Sequence, residues 1–229
     1  MDQGYSSARE EYKYYIPLRF YPRLMEDLGM FTKMDDNAKV AGDGYHVTSI
    51  YFESIELKAY FDKIEGQANR EKLRLRHYST DRKGPLNVEL KCKRGNKCIK
   101  KKVKVNQDEW DKILRGNYVG IELFRGINHM HPFVRVDYKR KAFFAKNDRN
   151  IRITVDYNVR CARFIKGLLR KSYIPAIPPG AIILEIKTPN YFPFWLTAII
   201  KKYSLNRSAI SKYTLAVQSV ATNSCLCVK

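Results

Sequence analysis

The segment "REKLRLRHY", residues 70–78, sets Lys72, Arg74 and Arg76 in alternation with Leu73 and Leu75. At a strand's period of two, three cations take one face and two leucines the other. Such a strand needs an apolar layer against its leucines and something unlike an ordinary core against its cations. The pattern returns along the chain. In "NVELKCK", Glu89, Lys91 and Lys93 lie opposite Val88, Leu90 and Cys92. In "CIKKKVKV", Lys100, Lys102 and Lys104 lie opposite Ile99, Val103 and Val105, with Lys101 interrupting the apolar side. Arg152, Thr154 and Asp156 oppose Ile151, Ile153 and Val155, and Glu185 and Lys187 oppose Leu184 and Ile186.

One such strand is explained by a solvated sheet face. Five together are not, because like charges on adjacent strands repel and a solvated face mixes signs and hydroxyls. The polar positions here are overwhelmingly Lys and Arg, which costs stability unless an anion sits among them. The whole chain agrees: 43 Lys plus Arg against 23 Asp plus Glu leave a net charge of +20. That balance suits a polyanion, with nucleic acid, anionic lipid and phosphate chains as the candidates. Nucleic acid is disfavoured, because the aromatics do not interleave with the cations as a stacking platform requires. A sheet closed with its cations inward would concentrate the field on a ligand, and inward Glu89 and Glu185 could then hold a divalent cation among phosphates.

Strands are expected at 11–16, 45–52, 70–78, 86–93, 97–105, 133–144 (one strand or two), 151–158 and 181–188, and helices at 18–30, 55–65, 107–115, 193–204 and 211–221. "RKGP" and "RGNK" mark turns, and "IPAIPPG" at 174–180 breaks regular structure. No Pro-, Gly- and Ser-rich linker divides the 229 residues, so a single α+β domain over 1–229 is expected. The odd cysteines (Cys92, Cys98, Cys161, Cys225, Cys227) fit reduced thiols, and no apolar run reaches the length of a membrane span. A soluble cytoplasmic protein is therefore expected. His77 falls on the leucine face and reads as a packed or surface residue rather than a catalyst; Tyr51, Phe52, Tyr60 and Phe61 read as core beneath a helix. "FPFWLTAII" reads as a buried helix. No Ser-His-Asp order, glycine-rich phosphate loop or HExxH is present.

The ordered series "EYKYYIP", "SIYFESIELKAYFDKIEG", "REKLRLRHY", "VELKCK", "KKKV", "YKRKAFF", "IRITVDYNVR", "ILEIKTP" and "SAISKYTLAV" covers almost the whole chain. It resembles the polyphosphate polymerase (VTC) domain of the triphosphate tunnel metalloenzyme, or CYTH-like, superfamily. The resemblance implies an antiparallel eight-stranded tunnel-like β-barrel with a basic interior, packed by outer helices. It implies phosphate binding by Lys13, Arg74, Arg76, Lys91, Lys100, Lys102, Arg140, Arg152, Lys187, Ser211 and Lys212. Arg74, Arg76, Lys91 and Glu185 would act in catalysis, and Glu185 with Glu89 would bind a divalent metal, Mn2+ or Mg2+. The family's hydrolases and cyclases begin with Glu-x-Glu-x-Lys where this chain has Arg9, Glu11 and Lys13, which favours the polymerase branch. Ala209 stands where the fungal polymerases carry a basic residue.

The resemblance implies transfer of the terminal phosphoryl group of a nucleoside triphosphate, with ATP the expected donor, onto polyphosphate. A tripolyphosphatase in which Glu89 or Glu185 orients a water, and a noncatalytic binder of polyphosphate or nucleic acid, are the alternatives.

Overall fold

A computed structural model describes residues 10–36, 38, 42, 44–78, 84–95, 97–124, 129–165, 168–170, 172–189 and 191–226. Arg9, Cys227 and parts of the turns at 82–85 and 94–97 lie outside the described residues. The chain falls into two compact units. Unit 1 holds 1–45, 139–158 and 178–210, and unit 2 holds 46–138, 159–177 and 211–229.

Unit 1 contains β1 (Glu10–Pro17), α1 (Tyr21–Phe31), β2 (Thr32–Met34), β11 (Ala181–Thr188) and α4 (Phe194–Lys202). Tyr14 and Ile16 of β1 and Ile182, Leu184 and Ile186 of β11 share one buried cluster with Ile153, Val155, Phe143 and Ala145. Leu24 and Leu28 of α1 and Leu196 and Ile199 of α4, spaced at helical i+4 and i+3, cover it. "FPFWLTAII" is thus a covering helix, as its composition suggests, although Phe194 at its start stays 89% exposed.

Unit 2 contains β3 (Tyr45–Glu53), α2 (Lys58–Ile64), β4 (Asn69–His77), β5 (Leu86–Arg94), β6 (Lys97–Val105), α3 (Gln107–Leu114) and α5 (Lys212–Leu226). The leucine face has the expected layer: Leu73, Leu75, Val88 and Leu90 pack with Ile50, Phe52 and the α3 residues Trp110 and Ile113. Helix α3 starts where Asn106 accepts from the Glu109 backbone and Glu109 accepts from the Asn106 backbone, a reciprocal cap. Leu75 is fully buried, so Leu75→Ala should cost about 2–5 kcal/mol. His77 is buried with its ring at a steep angle to Trp110, so of the packed and surface roles open to it the structure gives the packed one.

Two long strands contribute to both units: β7 (His131–Ala145), which is one strand and not two, and β8 (Arg152–Ile165), longer than expected. Asn158 takes a left-handed φ of 52° within β8, a conformation asparagine tolerates, and the strand runs on past the expected end. Short β9 (Leu168–Leu169) and β10 (Ile174–Pro175) pair with β8, so the proline-rich stretch does hold a brief strand.

The expected barrel needs correction. The ladders run β1-β11-β8-β7-β3-β4-β5-β6, with β2 on β7, and among the described residues no ladder joins β1 to β6. The sheet is open. Each terminal strand has a local reason for remaining an edge. The free side of β1 is taken by the chain at 207–208, where Tyr14 bridges Arg207 and Ser208 N donates to Lys13 O at 2.8 Å. Strand β6 is exposed from Lys97 to Lys104 and carries cations on both faces, with Lys101 opposite Leu90 on the apolar side. Lysine-rich edges resist further pairing. Among the described residues no helix is long and apolar enough to cross a membrane.

Candidate functional site

In unit 2 the pairing sets residues of one face in rows across the strands. Tyr51, Arg74, Glu89 and Lys102 form one row, Ser49, Arg76, Asn87 and Lys104 a second, and Lys72, Lys91 and Lys100 a third. Glu89 organises the middle of this face. Its Oε2 accepts from Arg74 Nε at 2.8 Å and Nη2 at 2.5 Å, with Lys100 Nζ at 3.7 Å and Arg76 Nη1 at 4.0 Å. Burial alone would push the Glu89 carboxyl up; Arg74, Arg76 and Lys100 outweigh it and bring it down to about 2. Arg76 donates from Nε to Ser49 Oγ at 3.0 Å and from Nη2 to the Tyr138 hydroxyl at 3.4 Å. Lys91 and Lys102 are exposed on the same face.

Tyr51 is buried beside these cations. Its hydroxyl accepts from Arg74 Nη1 at 3.4 Å, and its ring lies 5.0 Å from that of Tyr213. Burial pushes the Tyr51 phenol up, but Arg74, Arg76 and Lys72 together pull it down to about 7. Nearby Glu53 accepts from Ala59 N at 3.1 Å and is pushed up by burial to about 7, so it adds less charge than its type suggests. At the start of α5, Ser211 Oγ accepts from Thr214 N at 3.4 Å, a capping contact, and Lys212 Nζ stands 5.0 Å over the Tyr138 ring.

Unit 1 has a second charged face, built by β1 against β11 and β11 against β8. Register places Lys13 opposite Glu185 and Glu11 opposite Lys187, with Lys187 in turn opposite Arg152. Lys13 Nζ lies 2.5 Å from Glu11 and 3.9 Å from Glu185; Lys187 Nζ lies 3.6 Å from Glu11 and 3.1 Å from Glu185. Burial and Glu185 raise the Glu11 carboxyl, and Lys13 and Lys187 lower it by more, so it ends below its ordinary value. Lys13 also donates to Ile210 O at 3.1 Å. Arg140 grips fully buried Asp156 with both tines of its fork, Nε to Oδ1 at 2.6 Å and Nη2 to Oδ2 at 2.7 Å. Arg152 Nη2 lies 3.3 Å from Asp35 Oδ2. Gly44, at a φ of +82°, passes so close to Arg140 that a Cβ there would stand 2.8 Å from its carbonyl oxygen.

The expected residues thus gather as two sets. Arg74, Arg76, Lys91, Lys100, Lys102 and Glu89 share a face in unit 2, where Ser211 and Lys212 also lie; Lys13, Arg140, Arg152, Glu185 and Lys187 lie in unit 1. Tyr51 is buried beneath Tyr213 of α5, as expected, and also borders the cations, which its type did not suggest. Phe52 does pack in the core, but Tyr51 alternates with it and shares parity with Ser49, which is the signal that places it among the cations. Tyr60 and Phe61 contact each other, and Phe61 is 48% exposed rather than buried. The roles of Tyr138, Asp35 and Asp156 had no local signal, since each acts through a partner on another segment.

Glu11 and Glu185, side by side in unit 1, have the donor chemistry for a hard divalent ion. Among the described residues no group of three or more His, Cys, Asp or Glu could hold a metal. Two glutamates suit an ion that takes its remaining ligands from phosphate and water. Glu89 is already matched by three cations.

The sequence model of the family described as "VTC domain" matches residues 8–221. Subunit 4 of the vacuolar transporter chaperone complex of Schizosaccharomyces pombe is 26% identical over 158 residues, a match spanning 56% of this chain and 22% of that protein. An adenylate cyclase candidate of Bacillus halodurans superposes with a TM-score of 0.58 at 12% identity, over 90% of this chain and 94% of its own. Another from Vibrio parahaemolyticus gives 0.54 at 10%, over 92% and 98%, and a protein of Pyrococcus horikoshii OT3 gives 0.53 at 13%, over 93% and 99%. At these identities the three structures speak to the fold alone.

Proposed function

Because the chain belongs to the VTC domain family of the CYTH-like superfamily, we propose that it is a polyphosphate polymerase, moving the terminal phosphoryl group of a nucleoside triphosphate, with ATP the candidate donor, onto a growing polyphosphate chain. The observation that carries this reading is the set of in-register cation rows around Glu89. Phosphate oxygens repeat along a chain, and regularly spaced cations are the matching surface.

Phosphoryl transfer asks a protein mainly for positioning and charge neutralisation. Arg74 and Arg76 supply planar forks for phosphate oxygens, held in orientation by Glu89, Ser49 and Tyr138. Lys91, Lys100 and Lys102 supply point charges, and Lys13, Arg140, Arg152, Lys187, Ser211 and Lys212 are further phosphate contacts. Glu185 with Glu11 would hold a divalent ion, Mn2+ or Mg2+, whose chemistry is to offset charge at the transferring group. Glu89, given to the metal on sequence grounds, is better matched to orienting the arginines.

The state of Glu89 argues against its acting as the base of a hydrolase. A carboxylate held down to about 2 is a poor base for activating water, whereas a phosphate acceptor is already an anionic oxygen nucleophile. The test uses γ-labelled ATP with Mn2+. Label in long acid-labile chains is the expected result; label released only as free phosphate overturns the reading in favour of a tripolyphosphatase, and no turnover at all favours a binder.

A further inference from the structure

Unit 1 carries a patch that phosphoryl transfer leaves unused. Three segments meet there. Lys146 Nζ donates to Met30 O and Lys146 N to Phe31 O, at the end of α1. The Phe31 ring stacks on Trp195 at 5.0 Å, in the first turn of α4. Tyr191 donates its hydroxyl to Asp148, two residues from Lys146. The apolar bodies at this junction are open to solvent: Phe194 is 89% exposed, Met30 61%, Tyr191 51% and Phe31 36%. Elsewhere in the unit, side chains of these types are core.

The charges around them have one prevailing sign. Lys33, Lys146 and Arg149 are exposed on the same segments, while Asp148 is engaged by Tyr191, and Asp27 by Lys202 and Tyr203. Glu10, opposite Thr188 beside Tyr191, is engaged by Tyr12, and Glu26 lies one turn back on α1. Exposed aromatic and methionine side chains among Lys and Arg, with Trp and Tyr offering a polar edge, match the headgroup layer of an anionic bilayer. Two copies of this chain meeting through the patch would set its cations against their own equivalents.

We propose that this end of unit 1 is a peripheral docking surface for a bilayer bearing anionic headgroups. Phe194, Met30 and Phe31 enter the interfacial layer, Trp195 and Tyr191 lie at the level of the headgroups, and Lys33, Lys146 and Arg149 face lipid phosphates. The proposal does not depend on the activity assigned to the rows of unit 2.

The experiment measures co-sedimentation of the full chain with vesicles of phosphatidylcholine alone and of equal parts phosphatidylcholine and phosphatidylserine, with saturating tripolyphosphate to occupy the phosphate-binding residues. The wild-type chain is expected to bind the anionic vesicles, and Phe194→Ser to weaken that binding about tenfold, the scale of one large apolar side chain. The chain has two tryptophans, and Trp110 is buried in unit 2, so Trp110→Phe makes Trp195 the sole emitter. Its emission should be quenched by brominated lipid in the anionic vesicles. Tripolyphosphate release of all bound protein, equal binding by Phe194→Ser, or no bromine quenching overturns the proposal. So does a dimer in solution that Phe194→Ser dissociates, which assigns the patch to a second copy.

Discussion

In unit 1 each cation of the charged face has a carboxylate: Lys13 and Lys187 share Glu11 and Glu185, Arg140 has Asp156, and Arg152 has Asp35. In the three rows of unit 2, Glu89 is the carboxylate in register with Lys72, Arg74, Arg76, Lys91, Lys100, Lys102 and Lys104 among the described residues, and Glu53, pushed up to about 7 by burial, adds a weaker countercharge to Lys72. The same residue types therefore do different work. The first face is close to neutral and its geometry is fixed by its own pairs. The second holds surplus positive charge, which repels itself until an anion arrives. Folding stability should depend on carboxylates in unit 1, and ligand linkage on cations in unit 2.

The largest expected effect breaks a pair in unit 1. Asp156→Asn leaves Arg140 largely buried without its counter-charge, and chemical denaturation should show a loss of about 3–5 kcal/mol. By contrast, Lys102→Ala on the exposed edge of unit 2 should stay within about 0.5 kcal/mol of the parent. Comparable losses in both variants would erase the distinction.

A somewhat smaller effect belongs to linkage. An anion that binds only the folded chain adds about 2.7 kcal/mol at a hundred times its dissociation constant. Tripolyphosphate should raise the melting temperature well beyond chloride at matched ionic strength, and Arg74→Ala should cut most of that gain by weakening binding about 1.5–3 kcal/mol. Calorimetric titration that finds Arg74→Ala binding as tightly as the parent would remove Arg74 from the phosphate-binding set.

Glu185→Gln sharpens the comparison by sign. It removes negative charge from the balanced face, so metal-free triphosphate should bind as well or better while metal-dependent turnover collapses. If metal-free binding weakens instead, Glu185 is a structural partner of Lys13 and Lys187.

A last contrast is a pH dependence in unit 2. Arg74, Arg76 and Lys72 pull the Tyr51 phenol down from its ordinary 10.0 to about 7 in the folded chain. Between those values the folded state holds fewer protons than the unfolded one, so Tyr51 contributes stability that grows as pH rises from 7 to 10 and is lost as pH falls through 7. Triphosphate affinity should move the other way, since a phenolate competes for Arg74 and Arg76. Tyr51→Phe should flatten both profiles relative to the parent; unchanged profiles would show that the phenol stays neutral.

Much of this was legible in the sequence because period two dictates faces. Leu73 and Leu75 against Arg74 and Arg76 gave the core side and the charged side of β4, and the same rule placed Glu185 and Lys187. Closure was not legible, because alternation says which face a residue takes and nothing about what covers the terminal strands. Lys101 on the apolar side was the local hint that β6 is an edge. Asp35 was equally hidden, since its bond to Arg152 spans 117 positions. Tyr51 lay next to Phe52 in a run of apolar letters, and only strict parity separates the two.

The seal on β1 also bears on how the chain is made. Strand β1 pairs with residues 181–188, and its other side is closed by 207–208, while Lys13 reaches Ile210 across 197 positions. A ribosome adding about 5–20 residues per second would leave the tyrosine-rich strand without either neighbour for roughly ten to thirty seconds. During that interval "EYKYYI" is a β-prone template with two open sides, and Glu11 and Lys13 are the charges that discourage it from pairing with another nascent chain. Residues read above as ligands of phosphate and metal thus also act, before any ligand is present, as guards against misassembly during synthesis.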